Sequence, residues 1–325
     1  IYFTSGGTES NAIVIHSNLL RKRNARILAS KVEHPSIREN TAMLEKLEKQ
    51  IGFIPVDGAG RVSAELLSKT LEKYTDARFA AIMAVNNETG AVMDMPALSS
   101  VLRKNSASAE TAHAPIHLHS DLVQAIGKIP VAITGWDLDS ASFSAHKLGG
   151  PRGTGLLYLK HPLESIFAGG HQERRIRPGT ENTAGALALA ACLEQHALSE
   201  TVSAEYARAE RRFKQLLCSL KSMSRCTLIP QDRQAEDKRF SPYIVQAAFD
   251  GIPGEVMVRA LDDSGFAVST GSACSSSSPE RPVLAAMGID SKQRLEGIRI
   301  SQGWSTTDEE IELLVAAINE VLKFL

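Results

Sequence analysis

Short β-branched and apolar runs alternate with helical patterns through the first half of this chain, and that alternation limits the folds available to it. The runs are Tyr2–Thr4, Ala25–Ala29, Phe79–Val85, Pro115–Leu118, Ser140–Ser144 and Gly155–Leu159, with amphipathic stretches between several of them. Such a pattern predicts an α/β unit built on a mainly parallel sheet wrapped by helices. Ligands of these sheets sit beyond the carboxyl ends of the strands. The residues that follow each run are therefore the ones to read for chemistry, and they are unusually polar.

The second half reads differently. From Thr183 to about Leu220 the pattern is helical, with an alanine and leucine stretch (Ala184–Leu193) and then a charged amphipathic one (Glu205–Leu217). Beyond it, strands over Ile244–Phe249, Phe266–Ser269 and Ile298–Ser301 and a helix over Gly254–Ser264 predict a smaller α+β unit. A final helix is marked by Ile311, Leu314, Val315, Ile318, Val321, Leu322 and Leu325, with Thr306 and Glu309 as a capping box. The expected organisation is a large domain over residues 1–200 and a small one over 201–325. A length of 325 residues suits about two domains.

Thirty-six basic against 37 acidic residues leave a net charge of −1, which argues against a nucleic-acid footprint. No apolar run approaches the roughly 20 residues needed to span a bilayer, so no membrane association is expected. The four cysteines, Cys192, Cys218, Cys226 and Cys274, form no close pairs. They predict a reducing, cytoplasmic setting and neither a disulfide framework nor a structural zinc site. Ile1 is not methionine and already opens a strand, so the native chain is expected to begin earlier; a targeting peptide could lie ahead of it.

Four places carry chemical possibilities. Thr4-Ser5-Gly6-Gly7-Thr8-Glu9-Ser10-Asn11 follows a strand and opens a helix, which makes an anion site at a helix N-terminus or a plain glycine turn capped by Thr8. His117, His119 and Asp121 alternate and share one face of an extended strand. They suit a transition metal, a solvated polar edge, or an aspartate paired with a cationic ring nitrogen, with Gln124 one turn further on. Ser142-Phe143-Ser144-Ala145-His146-Lys147 ends a strand before a glycine-rich turn, as a Schiff-base lysine with phosphate ligands beside it would. Cys274 stands among serines in a small-residue stretch that reads as a loop, whereas Cys192 and Cys218 read as core and Cys226 as a strand edge.

Taken together, Gly6-Gly7-Thr8-Glu9-Ser10-Asn11, Glu33-His34, Asn86-Asn87-Glu88-Thr89-Gly90, His119-Ser120-Asp121-Leu122-Val123-Gln124, Ser144-Ala145-His146-Lys147, Arg177-Pro178-Gly179-Thr180-Glu181-Asn182, Ser272-Ala273-Cys274-Ser275 and Ile298-Arg299-Ile300-Ser301 resemble the cysteine desulfurases. These are enzymes of the class V aminotransferase group with fold type I, dependent on pyridoxal 5'-phosphate. The resemblance runs along essentially the whole chain, with the motifs in the family's order. An N-terminal segment that family members carry ahead of the first strand is absent from this sequence.

The resemblance implies a role for each matching residue. Lys147 would bond the cofactor and Asp121 would hold its ring nitrogen protonated, with His34 stacked on the ring. Gln124 and Asn87 would contact the ring-hydroxyl side, and Gly7, Thr8, Ser144 and His146 the phosphate. Thr180 would reach the phosphate of the other subunit's cofactor in a homodimer. Arg299 would fork onto the substrate carboxylate together with Asn87, and Cys274 would be the nucleophile, with Lys147 or His34 moving the α-proton. The implied reaction converts L-cysteine to L-alanine and leaves the sulfur on Cys274 as a persulfide. Cys274 lies 25 residues before Arg299, in a serine-rich run like that of the long-loop group. That group feeds iron–sulfur cluster assembly through a scaffold, or a tRNA-thiolation protein. Selenocysteine lyase, another enzyme of the fold type, or a silent dimeric scaffold are the competing readings.

Overall fold

The computed structural model describes residues 1–20, 25–107, 115–271 and 280–325. The chain divides into two compact units. The first comprises Ile1–Val56, Val62–Val85 and Met93–Val202; the second comprises Asp57–Arg61, Asn86–Val92 and Ser203–Leu325.

The first unit is an α/β sheet of seven strands: β1 (Tyr2–Thr4), β2 (Arg26–Ser30), β3 (Ile51–Ile54), β4 (Ala77–Ala81), β5 (His117–Asp121), β6 (Ser140–Ser144) and β7 (Gly155–Leu159), in the order β1-β7-β6-β5-β4-β2-β3. Strands β3, β2, β4, β5 and β6 pair in parallel, and β7 runs antiparallel to both β6 and β1. The mainly parallel sheet expected from the alternating runs is present. Helices α1 (Gly7–His16), α2 (Pro35–Lys46), α3 (Ala64–Lys73), α4 (Met95–Ala107) and α5 (Thr183–His196) belong to this unit. Ile13 and Ile15 of α1 and Ile37 and Leu44 of α2 join Ile27, Phe79 and Leu157 of the sheet in one buried cluster.

Three sequence expectations shift here. The edge strand β3 escaped notice because its four residues include Gly52 and an exposed Phe53. The run expected at Pro115–Leu118 is a strand at His117–Asp121, so the polar residues lie inside the strand rather than after it. They are tolerated there because each is hydrogen-bonded, as described below. Cys192 is half-buried in α5 rather than core.

The second unit is a three-stranded antiparallel sheet, β8 (Cys226–Ile229), β9 (Ile244–Phe249) and β10 (Gly297–Ser301), in the order β10-β9-β8. Helix α6 (Ser199–Ser222) leads into it, and α7 (Gly254–Asp263), α8 (Pro282–Ala286), α9 (Ser291–Glu296) and α10 (Asp308–Phe324) complete it. Val245, Ala247, Ile298 and Ile300 face a core shared with Phe213 and Leu217 of α6, Leu261 of α7 and Ile311 and Ile318 of α10. The capping box of α10 lies one residue later than expected: Thr307 accepts from the Glu310 N–H at 3.1 Å while Glu310 accepts from the Thr307 N–H at 2.8 Å. Thr306 instead accepts from Gly303 N–H. Phe266–Ser269 forms no strand; only Ser269 pairs, with Arg299. Cys218, expected in the core, is exposed on α6. Among the described residues no helix is long and apolar enough to cross a membrane.

The short piece Asn86–Val92 is tied to the rest of the second unit by backbone bonds from Ser241 N–H to the Gly90 carbonyl and from Val92 N–H to the Arg239 carbonyl, both 2.8 Å, and by a buried cation. Arg233 is fully buried, with its guanidinium between the rings of Phe213 and Phe240 at 4.6 and 4.5 Å from their centroids. It donates to the carbonyls of Thr89, Ser241 and Ile244 at 2.9, 3.0 and 2.7 Å. Burial pulls its pKa down to about 9, which still leaves it charged at neutral pH. Replacing it with an apolar side chain orphans three buried acceptors. Arg233→Met should therefore cost roughly 2–4 kcal/mol, measured as a lower midpoint in chemical denaturation.

Candidate active site

Local sequence places the site of the first unit. Helix α1 begins at Gly7 with Gly6 as its N-cap, which has no side chain to offer, so Thr8 is not the cap. The backbone comes very close to its neighbours: a Cβ on Gly7 would lie 2.7 Å from Val123 Cγ2, and one on Gly155 would lie 2.5 Å from Gly6 Cα. Only glycine fits either position. The helix terminus thus carries backbone N–H groups and the positive end of the helix dipole, next to buried Ser144 at the end of β6. Ser144 Oγ and His146 Nδ1 are 2.7 Å apart. Burial, then the charges of Lys147 and Arg152, lower the His146 pKa. Lys147 and His146 follow β6 in a short 3₁₀ turn, both exposed.

Asp121 ends β5 and is 5% exposed. Its Oδ1 accepts from the Val123 N–H at 2.9 Å and its Oδ2 from Asn11 Nδ2 at 2.9 Å. Both donors are neutral.

Asn11, fully buried, is the centre of a larger network. Its Nδ2 also donates to Ser36 Oγ at 2.8 Å, and its Oδ1 lies 2.8 Å from His119 Nε2. His119 Nδ1 and His117 Nε2 both contact Ser140 Oγ, at 2.8 and 2.7 Å. Because Asn11 Oδ1 can only accept, His119 carries its hydrogen on Nε2, and Ser140 donates to its Nδ1. Burial pushes the His119 pKa down to about 3, so it stays neutral. The alternating His117, His119 and Asp121 do share one face of β5. Among the described residues, however, no group of three His, Cys, Asp or Glu side chains is placed to hold a metal. The metal alternative gives way to this amide-centred network.

His34 is the N-cap of α2. Its Nδ1 accepts from the Ser36 N–H at 3.1 Å and lies 2.8 Å from Ser36 Oγ, whose own proton is free to point at it. A neutral His34 therefore holds its hydrogen on Nε2, and desolvation lowers its pKa, reinforced by Lys147 and opposed by Asp121. Gln124 lies in the turn after β5, where its Oε1 accepts from Lys128 Nζ at 2.7 Å. Thr180 is exposed, in a segment tied back by an ion pair between Arg177 and Glu9 of α1 at 3.1 Å. The set combines an anion-binding helix terminus, a buried carboxylate bonded to two neutral donors, and an imidazole. It fits a phosphorylated heteroaromatic with a protonated ring nitrogen.

In the second unit, Arg299 Nη1 donates to the Asn87 carbonyl at 2.9 Å, so these two expected residues are neighbours. Burial lowers the Arg299 pKa, opposed by Glu88. Cys274 lies outside the described residues, as does the whole stretch 272–279. Sequence reading did not single out Asn11, Ser36 or Ser140, although Asn11 fell within a quoted motif. A polar residue on an apolar helix face, four positions into α1, was the available signal.

Comparison with known proteins gives a consistent picture. A family model described as aminotransferase class V matches residues 1–314. A NifS/IcsS protein homolog of Lactobacillus delbrueckii subsp. bulgaricus is 36% identical over 99% of this chain and 81% of its own length. A cysteine desulfurase of Sinorhizobium fredii is 35% identical over 99% of this chain and 80% of its own. A solved NifS-like protein superposes with a TM-score of 0.87 at 30% identity, covering all of this chain and 82% of that one.

Glu33, beside His34, is 2% exposed and accepts from the Met83 N–H at 2.8 Å and from Ser30 Oγ. Burial pushes its carboxyl from 4.5 up to about 8. The folded state thus favours the protonated acid. Its contribution to stability is complete below the ordinary value and is lost as pH rises from there through about 8. Denaturation midpoints taken across that interval should fall with pH, and Glu33→Gln, which cannot ionise, should flatten the fall.

Proposed function

Because this chain belongs to the class V aminotransferase family, we propose that it is a cysteine desulfurase dependent on pyridoxal 5'-phosphate. It converts L-cysteine to L-alanine and passes the sulfur through Cys274. The observation that carries this reading is the buried Asp121 carboxylate, held by two neutral donors, Asn11 Nδ2 and the Val123 N–H, close to the glycine-opened terminus of α1. When bound, the cofactor supplies an electron-withdrawing ring that stabilises negative charge at the substrate's α-carbon.

The chain's own residues do the rest. Gly7, Thr8, Ser144 and His146 would bind the phosphate, Lys147 would hold the cofactor, and Asp121 would serve its ring nitrogen. His34, Gln124 and Asn87 would contact the ring. Neutral His34 already bears a hydrogen on Nε2 and accepts at Nδ1, so it has no lone pair to offer an α-proton. Lys147 is the base. Arg299 binds the substrate carboxylate through two parallel N–H groups, beside the Asn87 backbone.

Sulfur transfer needs no outside redox partner. The Cys274 thiolate attacks the substrate sulfur, the carbon–sulfur bond breaks as the sulfur–sulfur bond forms, and the carbon takes a proton. Enzyme thiol plus cysteine becomes enzyme persulfide plus alanine. The persulfide then goes to an acceptor, such as an iron–sulfur scaffold or a tRNA-thiolation protein, in a reducing cytoplasm.

A homodimer completes the proposal. Helix α5 leaves Ala184, Leu187, Ala190 and Ala191 exposed, Leu187 at 73%. An apolar helix face open to water favours burial against a second copy. Exposed Thr180, just before it, would then serve the partner's cofactor phosphate. Light scattering should find wild type dimeric and Leu187→Glu shifted to monomer, with cofactor binding weakened in step.

The sulfur chemistry is tested by Cys274→Ser. This variant should keep the visible absorbance of the bound cofactor and still respond to L-cysteine, while alanine formation drops to the level of protein-free controls. A serine hydroxyl is barely ionised near neutral pH and attacks sulfur poorly. Wild type given cysteine without reductant should gain one sulfur on the Cys274 peptide. Alanine made by the serine variant at the wild-type rate would sink the assignment.

A further inference from the structure

Gln246 sits mid-strand in β9 and is fully buried, yet neither Oε1 nor Nε2 has a hydrogen-bond partner among the described residues. Native structures leave few such groups, because an unsatisfied buried amide is costly. Its place in the sheet suggests why this one is kept. Gln246 is the direct antiparallel partner of Arg299 on β10. Directly opposed residues send their side chains to the same face, with Cβ atoms roughly 4.5–5.5 Å apart. The opposite face carries the apolar core residues Val245, Ala247, Ile298 and Ile300.

Arg299 matches it. Its Nη1 is engaged by the Asn87 carbonyl, but its Nε is buried without a partner. Room for the amide comes from Gly297, where a Cβ would lie 2.9 Å from Gln246 Nε2. Arg281 donates from Nη2 to the Gly297 carbonyl at 3.0 Å, and its Nη1 is likewise buried and unsatisfied. On these three side chains the unsatisfied donors are Gln246 Nε2, Arg299 Nε and Arg281 Nη1, and the unsatisfied acceptor is Gln246 Oε1. An acceptor-rich ligand, a carboxylate above all, would restore the balance.

We infer that Gln246 is a positioning residue for Arg299: the bond between its amide oxygen and the Nε–H, unmade in the structure, forms when a carboxylate engages the outer N–H pair of the guanidinium and holds that pair toward it. This rests on the reading of Arg299 as the carboxylate anchor. It adds a determinant of specificity for α-amino acids over simple amines, at the expense of an unsatisfied group in the empty site.

The test compares wild type and Gln246→Met, both loaded with pyridoxal 5'-phosphate. Visible absorbance would report affinity for L-alanine and the rate of reaction with methoxyamine, an amine without a carboxylate. The variant should bind L-alanine roughly five- to ten-fold more weakly, as expected for one lost charge-assisted hydrogen bond. It should react with methoxyamine as wild type does, and its unfolding midpoint should not fall. L-alanine affinity within about two-fold of wild type, or an equal loss toward both amines, overturns the inference. Sulfur release from L-cysteine by wild type is scored separately. A wild type that binds L-alanine but releases no sulfur overturns the desulfurase reading and leaves the Gln246 result standing.

Discussion

Burying the Asp121 carboxylate is the constraint on which the first unit's site depends. A buried carboxylate is costly unless its oxygens find donors. The Val123 N–H and Asn11 Nδ2 supply them, one to each oxygen, and both donors are neutral. The requirement then spreads outward. Asn11 must present its NH₂ and not its oxygen, and His119 secures this by donating to that oxygen. His119 must stay neutral, and complete burial ensures it. The strand bearing these groups can be polar and buried together because Ser140 closes the chain of bonds.

The same amide reaches His34 through Ser36. One side chain thus links Asp121 to His34. The direction of each proton follows from the chemistry of the ends: backbone N–H groups only donate, so His34 Nδ1 is an acceptor.

The second unit handles buried charge differently. Arg233 has carbonyls and aromatic rings around it, and Arg299 has one carbonyl and an unsatisfied Nε. The two share a buried Nε without a partner among the described residues and differ at their outer nitrogens: Arg233 makes three bonds to carbonyls and serves the fold, whereas Arg299 makes one, beside an equally unsatisfied Gln246.

Much of this was written in the sequence. Alternating apolar runs dictated a mainly parallel sheet, since period-two and period-3.6 patterns are local properties of the chain. The spacing of His117, His119 and Asp121 put them on one face, and the ordered motifs from Gly6 to Arg299 pointed to a family and its chemistry. What the sequence could not decide was how residues distant along the chain share protons. Asn11 and Asp121 lie 110 positions apart, and nothing local told a metal site from an amide-centred network. The strand limits at β5 were misread for the same reason, because polar side chains look solvated until their partners are known. Cys218 and the capping position of α10 were settled by which helix face and which hydroxyl the fold turned inward. Pairing Gln246 with Arg299 required the antiparallel register, which exists only once β9 and β10 have met.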